Sequence, residues 1–167
     1  MTTSPTIERV GVVGAGLMGS GIAEVCVRAG LDVMVREVDA EACERGRGRI
    51  VTSLDRGIRA GKLTEEERDG ALARLGFTTD IADLSDRQLV VEAVVEDEAL
   101  KTEVFRNLDR VVTDPAAILA SNTSSIPIMK LGIATGRPEQ VIGIHFFNPV
   151  PVLRLVELVT SLLTSDA

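Results

Sequence analysis

Six residues near the N-terminus constrain the fold of this chain more than any other part of its sequence. They read Gly14-Ala15-Gly16-Leu17-Met18-Gly19, follow a predicted short buried strand at 8–13 and precede apolar residues at helical spacing. Glycines with the spacing G-x-G-x-x-G allow a tight turn, close approach of a phosphate to the backbone, and close packing of a helix on a strand. The sequence therefore predicts a strand–turn–helix unit whose helix N-terminus binds a dinucleotide pyrophosphate. The predicted cofactor contacts are Gly14, Gly16, Leu17, Met18 and Gly19.

Strand-like and helix-like segments alternate along the rest of the chain. Strands are predicted at 8–13, 32–36, 75–79, 89–94, 117–120, 140–145 and 153–159. Helices are predicted after residue 19, from 40 to 60 with a break at Gly57 or Gly61, from 64 onward, and at 97–112 and 127–132. This alternation predicts an α/β fold of the doubly wound Rossmann type, with a mostly parallel sheet and helices on both faces, over residues 1–160.

Composition narrows the class of protein further. Of 167 residues, 45% are apolar, with no Trp, no Tyr and four Phe, so aliphatic side chains must fill the core, as is typical of a parallel sheet. A formal net charge of −7 disfavours a nucleic-acid partner. No apolar run is long enough to span a bilayer, and the first residues do not resemble a signal peptide, so we expect a cytoplasmic protein. One His and two Cys, Cys26 and Cys43, predict no metal site and two buried or half-buried thiols.

An acidic residue follows the second predicted strand. Glu37 lies 18 residues after Gly19, where a carboxylate would hydrogen-bond the adenine ribose of a dinucleotide. A carboxylate would also repel a 2′-phosphate, which favours NAD over NADP as the cofactor. Arg36, beside it, leaves NADP open because an arginine can bind that phosphate.

The chain has a single histidine, His145, at the end of a predicted strand. In an open α/β sheet that end faces the ligand crevice, and imidazole can remove a hydroxyl proton at neutral pH. Hydride transfer from a secondary alcohol needs such a base, although a lone histidine is more commonly structural. Glu157 could hold the second ring nitrogen of His145. A solvent-facing strand residue is an equally good interpretation of Glu157.

Three segments, taken together, resemble the 3-hydroxyacyl-CoA dehydrogenase family. They are the glycine loop with its continuation (14–23), the Ser-Asn-Thr-Ser-Ser run (121–125), and His-Phe-Phe-Asn-Pro-Val-Pro with the following Leu-Val-Glu (145–157). They occur in the family's order and span nearly the whole chain. The resemblance implies an oxidoreductase that transfers hydride between the C3 hydroxyl of a short-chain 3-hydroxyacyl-CoA and NAD+.

The resemblance also implies a role for each matched residue. His145 would be the catalytic acid/base and Glu157 its partner. Ser124 would hydrogen-bond the 3-oxygen of the substrate, and Asn148 would lie near the nicotinamide and the substrate. Other matched positions lie at the cofactor site: Glu96 and Lys101, with Lys101 also near the CoA.

Coenzyme A contacts are implied at Ser53. The family's lysine seven residues further on falls on Ala60, so Lys62 or Arg59 would have to replace it. Between Glu44 and Lys62 the chain carries six basic and two acidic residues, a local excess of positive charge. A solvated helix face would explain this excess as well as a landing site for an anionic substrate does.

Family members carry a second, helical domain that dimerises and closes the acyl pocket. Residues 161–167 are expected to be the beginning of the connection to such a domain, and a full-length member is expected to be a homodimer. Two other functions stay open on the sequence. One is an NAD-binding module without catalysis, and the other is a related dehydrogenase of a free hydroxy acid or sugar acid.

Overall fold

The computed structural model describes residues 6–165. Seven strands form one sheet in the order β3-β2-β1-β4-β5-β6-β7, of which the first six are parallel and β7 is antiparallel to β6. The strands are β1 (Arg9–Val13), β2 (Asp32–Arg36), β3 (Leu75–Thr78), β4 (Leu89–Glu92), β5 (Ile118–Ser121), β6 (Val141–Phe146) and β7 (Val156–Val159). The strand order reverses between β1 and β4, which confirms the predicted doubly wound fold and places the ligand crevice at their carboxyl ends.

Five α-helices connect the strands. They are α1 (Leu17–Arg28), α2 (Ala40–Arg59), α3 (Glu65–Leu72), α4 (Glu98–Val111) and α5 (Ile128–Gly132). Helix α2 runs through Gly57 without interruption, so a break there, one of the two predicted alternatives, is wrong. Gly61, the other alternative, has a φ of +66° and lies just beyond the helix end. One glycine costs a helix about 1 kcal/mol. The buried face of α2, which includes Ile50 and Leu54, outweighs that cost.

The core consists of two mostly aliphatic layers, one on each face of the sheet. On one face, Ile22 of α1 and Ile50 of α2 pack against valines of β1 and β2. On the other face, Phe105 and Leu108 of α4 and Leu131 of α5 pack against β4, β5 and β6. This arrangement is the one that the scarcity of aromatic residues predicts. Within residues 6–165, no helix has the length and apolar character needed to cross a membrane.

The edge strand β7 is shorter than predicted. It begins at Val156 rather than near residue 153, because the amides of Val152 and Leu153 both donate to the Pro149 carbonyl, each at 3.0 Å, and form a turn. Both cysteines lie in helices as predicted, Cys43 buried and Cys26 half-buried, and both are free thiols.

Helix α3 begins with a capping box at Thr64. Thr64 Oγ1 accepts from the Glu67 amide at 3.1 Å, and Glu67 Oε2 accepts from the Thr64 amide at 2.8 Å. Thr64→Ala leaves the Glu67 amide without this acceptor, so we expect the free energy of unfolding in urea to fall by about 1 kcal/mol. Thr52→Ala, at an exposed position within α2, is the control and should change it by less than about 0.5 kcal/mol. Equal effects of the two substitutions would contradict a capping role for Thr64.

Candidate functional site

The glycine loop joins β1 to α1 at the carboxyl edge of the sheet. Gly14 has a φ of +94°, a conformation that residues with side chains rarely adopt. A Cβ atom on Gly19 would overlap the Gly14 carbonyl oxygen, so a glycine is required for α1 to approach β1 this closely. A Cβ atom on Gly16 would meet no heavy atom of the described residues within 4 Å, which leaves that side of the loop open to a ligand.

Helix α1 begins without a side-chain cap. Gly16 holds the N-cap position, and the first turn contains no acidic residue. The first-turn amides have no carbonyl partner within the helix, so the positive end of the helix dipole is available to an anion. Leu17, which is 66% exposed, and Met18 are the first two residues of this helix. The terminus therefore fits a dinucleotide pyrophosphate, as the sequence predicts.

Glu37 lies beside this loop and is held by backbone amides. Its Oε1 accepts from the Ala15 amide at 2.5 Å, and its Oε2 accepts from the Val38 amide at 3.0 Å. A carboxylate thus stands at the carboxyl end of β2, where the ribose contact is predicted, and the contact itself stays a prediction. The neighbouring Arg36 has a buried Nε atom with no hydrogen-bond partner among the described residues.

A cavity of about 400 Å³ brings together most of the other predicted residues. It lies where the glycine loop meets the carboxyl ends of β4, β5 and β6. Six predicted site residues line it: Met18, Glu96, Lys101, Ser124, His145 and Asn148. Glu157 lines a neighbouring cavity of about 180 Å³, together with Ser124 and His145.

His145 and Glu157 face each other across the only antiparallel pair of this seven-stranded sheet. They occupy directly opposed positions on β6 and β7, so their side chains lie on the same face of the sheet. His145 Nδ1 lies 3.1 Å from Glu157 Oε2, and the Phe147 ring lies 4.6 Å from the imidazole, centroid to centroid. The contact favours the tautomer with its proton on Nδ1, which leaves Nε2 free to accept a proton. Glu157 is 55% exposed, so its position also matches the solvent-facing interpretation.

Ser124 lies at the exposed tip of the loop that follows β5. Its two neighbours are both hydrogen-bonded to Glu96, Thr123 through Oγ1 and Ser125 through Oγ at 2.9 Å. On the other side of the loop, Asn122 Oδ1 accepts from the Phe146 amide at 2.9 Å. The loop is therefore held from two directions beside the cavity that His145 lines. Sequence reasoning missed the role of Asn122, although it lies in a motif that the family resemblance covers.

Lys101 is buried, and two carboxylates surround its ammonium group. Nζ donates to Glu92 Oε1 at 2.7 Å and lies 3.2 Å from Glu96 Oε2. Burial acts to raise the pKa of Glu96, but hydrogen bonds from Thr123 and Ser125 and the charge of Lys101 outweigh it and lower that pKa. Sequence reasoning missed Glu92, although a charged residue within the buried strand Leu-Val-Val-Glu was a signal for it.

Five of the six basic residues between Glu44 and Lys62 fall into two groups. Arg45 pairs with Glu41 at 2.5 Å, and the guanidinium of Arg47 lies over the Phe77 ring at 5.0 Å from its centroid. These two arginines have partners within the chain, as expected of a solvated or structural helix face.

The other group lines two cavities next to the loop at 148–151. Arg49, Ser53 and Arg56 line one of about 440 Å³. Ser53 and Arg56 also line one of about 200 Å³, together with Lys62. The structure thus brings the two predicted CoA contacts, Ser53 and Lys62, into one cavity and adds arginines that sequence reasoning did not single out.

The geometry of the loop, the uncapped helix and the crevice defines a dinucleotide-binding domain of the Rossmann class. Comparison with known proteins is more specific. Residues 9–167 match the family described as "3-hydroxyacyl-CoA dehydrogenase, NAD binding domain". A 3-hydroxybutyryl-CoA dehydrogenase of Mycobacterium tuberculosis is 66% identical over 98% of this chain and 57% of the relative.

Solved structures agree with the sequence comparison. The crystal structure of M. tuberculosis FadB2 matches with a TM-score of 0.96 and 66% identity, over 97% of this chain and 57% of that one. The (S)-3-hydroxybutyryl-CoA dehydrogenase PaaH1 from Ralstonia eutropha matches with a TM-score of 0.93 and 45% identity, over 96% of this chain and 56% of that one. The chain belongs to the 3-hydroxyacyl-CoA dehydrogenase, NAD-binding domain family, and the prediction of NAD as cofactor is confirmed. It spans somewhat more than half the length of these relatives.

Glu24 of α1 lines the cavity of about 440 Å³ together with Ser53 and Arg56, and its burial makes stability depend on pH. Burial raises the pKa of Glu24, and the nearby Ser53 hydroxyl and the charges of Arg28 and Arg56 only partly offset this. The unfolded chain therefore ionises Glu24 more readily than the folded protein, so this group costs stability as the pH rises above 4.5. We expect Glu24→Gln to gain stability relative to the wild type at pH 7, and to gain less at pH 4, in urea unfolding. An equal stability difference between Glu24→Gln and the wild type at both pH values would contradict the raised pKa of Glu24.

Proposed function

We propose that this chain is the NAD-binding part of an enzyme that transfers hydride between the C3 hydroxyl of a short-chain 3-hydroxyacyl-CoA and NAD+. One observation carries the proposal. The paired imidazole of His145 and the hydroxyl-bearing loop at Ser124 border the same cavity as Met18 of the glycine loop. A base, a hydrogen-bond donor and a dinucleotide-binding loop are the groups that such a reaction requires. The relatives named 3-hydroxybutyryl-CoA dehydrogenases support a short acyl chain.

Proton transfer in this proposal belongs to His145. In the oxidative direction its Nε2 takes the proton of the 3-hydroxyl group, while Glu157 keeps the other ring nitrogen protonated and stabilises the resulting imidazolium. When bound, NAD+ supplies the acceptor for the hydride that leaves C3. Ser124 hydrogen-bonds the 3-oxygen and so holds the reacting carbon in place. In the reductive direction the same imidazolium returns its proton to the developing alkoxide.

The cofactor contacts in this proposal follow from the order of the strands. The amides between Gly14 and Gly19 would hold the pyrophosphate, and Glu37 would accept a hydrogen bond from the adenine ribose. Glu96, Lys101 and Asn148 lie at the cavity where the nicotinamide end would be held. Glu37 Oε1 accepts from the Ala15 amide at 2.5 Å, and each carboxylate oxygen has a second lone pair that could accept from the ribose.

Coenzyme A binding in this proposal uses the cavities beside α2. Arg49, Arg56 and Lys62 border them, and Ser53 borders both. Guanidinium and ammonium groups are the usual partners of phosphate, and their shared location gives an anionic substrate a defined approach.

Reduction of acetoacetyl-CoA by NADH, followed by the loss of NADH absorbance, tests the reaction class. We expect turnover with acetoacetyl-CoA and much slower turnover with free acetoacetate at the same concentration. The opposite preference would favour a dehydrogenase of free acids. NADH binding by fluorescence without turnover of either compound would favour a nucleotide-binding module and would overturn the proposal for the chain on its own.

His145→Gln tests the acid/base role. Gln cannot exchange a proton at neutral pH, so we expect kcat to fall by about 10²–10⁴-fold while the Kd for NADH stays near the wild-type value. Glu157→Gln keeps the base but weakens its orientation, and should lower kcat by up to about 10⁴-fold. A large loss of NADH affinity in His145→Gln would count against this assignment.

Arg56→Gln tests the coenzyme A site. Losing one phosphate-binding charge should raise KM for acetoacetyl-CoA by up to about tenfold while kcat and the Kd for NADH change little. Arg45→Gln, on the same helix but paired with Glu41, is the matched control and should leave KM within about twofold. Equal effects of the two substitutions would mean that the overall positive charge of α2 acts, and not a site at Arg56.

A further inference from the structure

Glu92 is a fully buried carboxylate beneath the loop that carries Ser124. It is 0% exposed at the end of β4, so neither substrate nor cofactor reaches it. Its carboxylate makes three hydrogen bonds within the protein: with Lys101 Nζ at 2.7 Å, the Val94 amide at 2.7 Å, and Ser121 Oγ at 2.6 Å. Two of these three bonds lead to the Ser124 loop.

The first route runs through Ser121. Ser121 Oγ donates to Glu92 Oε2, and Ser121 Oγ also accepts from the Thr123 amide at 3.1 Å. Because the carboxylate fixes the direction in which the hydroxyl donates, the lone pairs of Ser121 Oγ remain directed at the Thr123 amide. Glu92 therefore sets the backbone of the residue just before Ser124.

The second route runs through Lys101 and Glu96. Lys101 bridges Glu92 to Glu96 Oε2, and Glu96 Oε1 accepts from both Thr123 Oγ1 and Ser125 Oγ. Thr123 Oγ1 in turn accepts from the Ser125 amide at 3.3 Å and the Ile126 amide at 3.0 Å. This route fixes the side chains on both sides of Ser124 and the backbone that follows it.

A buried ion pair adds little to stability compared with well-packed apolar side chains of the same size. The role of this pair is geometric, because hydrogen bonds are directional and the two routes meet at Thr123. The Thr123 amide donates to Ser121 Oγ, and Thr123 Oγ1 donates to Glu96. We infer that Glu92 is a positioning residue, which holds the Ser124 hydroxyl at the cavity through Ser121 on one side and through Lys101 and Glu96 on the other. The inference rests on the proposed function only for the part that Ser124 plays in catalysis.

Amide hydrogen exchange in Glu92→Gln tests the positioning directly. We expect the amides of Thr123, Ser125 and Ile126 to exchange at least about tenfold faster, since their acceptors lose their fixed orientation. The Asn122 amide is the internal control, because it donates to the Glu92 backbone carbonyl at 2.9 Å and needs no side chain. Uniform acceleration that includes Asn122, or no acceleration at Thr123, would overturn the inference. Glu103→Gln, on the exposed side of α4, is the matched surface control.

Two further variants cut the routes one at a time and stay informative if Glu92→Gln does not fold. Ser121→Ala should accelerate exchange at Thr123 while leaving Ile126 near the wild-type rate. Glu96→Gln should accelerate exchange at Ser125 and Ile126 more than at Thr123. If both variants gave the same pattern, the two routes would not be separate and the inference would fail.

A double-mutant cycle on turnover tests the consequence for catalysis. We expect Glu92→Gln to lower kcat by about tenfold or more in the wild type, but by less than about twofold in a Ser124→Ala background. The same loss in both backgrounds would show that Glu92 does not act through Ser124. If the wild-type chain turned over no substrate, the proposed function would fail, whereas the exchange rates would still decide the positioning.

Discussion

Three pieces of backbone meet at the floor of the crevice, and the rest of the site depends on that contact. A side chain on Gly19 would overlap the Gly14 carbonyl, and a Cβ on Gly14 would approach the Ala93 carbonyl to 2.9 Å. The end of β1, the start of α1 and the residue after β4 are therefore as close as backbone allows. Because α1 is held there, its first-turn amides are fixed at the edge of the sheet where β4, β5 and β6 deliver their polar residues. The position of the anion-binding terminus relative to the imidazole is thus a consequence of packing between glycines.

The polar side of the crevice is organised differently from the glycine side. Ordinary Rossmann geometry brings the ends of β4, β5 and β6 to one edge, but it does not determine how their loops are oriented. Here side chains do that, with Glu96 accepting from both neighbours of Ser124 and Asn122 accepting from the Phe146 amide. Neutral hydroxyl and amide groups are the donors in these contacts, and the charged groups of the network are the buried Lys101 and the carboxylates of Glu92 and Glu96. Such a network specifies one arrangement of the loops among many that the sheet alone would allow.

Much of the fold and of the candidate site could be predicted from the sequence. The features that could not be predicted all depend on contacts between residues distant in the chain. Periodicity and turn residues identify all seven strands and the five helices, because those signals are local. Of the two breaks predicted for α2, the one at Gly57 is wrong because burial of apolar side chains on α2 outweighs the low helix propensity of glycine. Equally, Arg45 and Arg56 look alike in the sequence, and only the fold shows that one pairs with Glu41 while the other borders a cavity. Glu92 was missed for the same reason, because its partners lie 9 and 29 residues away in the chain.

The antiparallel pairing of β6 and β7 has a consequence for the dynamics of the site. Glu157 reaches His145 because the two residues are opposed in the register, and a shift of one residue would turn its side chain to the other face of the sheet. Among residues 6–165, strand β7 has a neighbouring strand on one side only, and its four residues are exposed. Edge strands open at a lower free energy than strands within a sheet. The tautomer of the His145 imidazole therefore depends on an exposed edge strand. Any contact that stabilises the outer edge of β7 would also prolong the contact between His145 and Glu157.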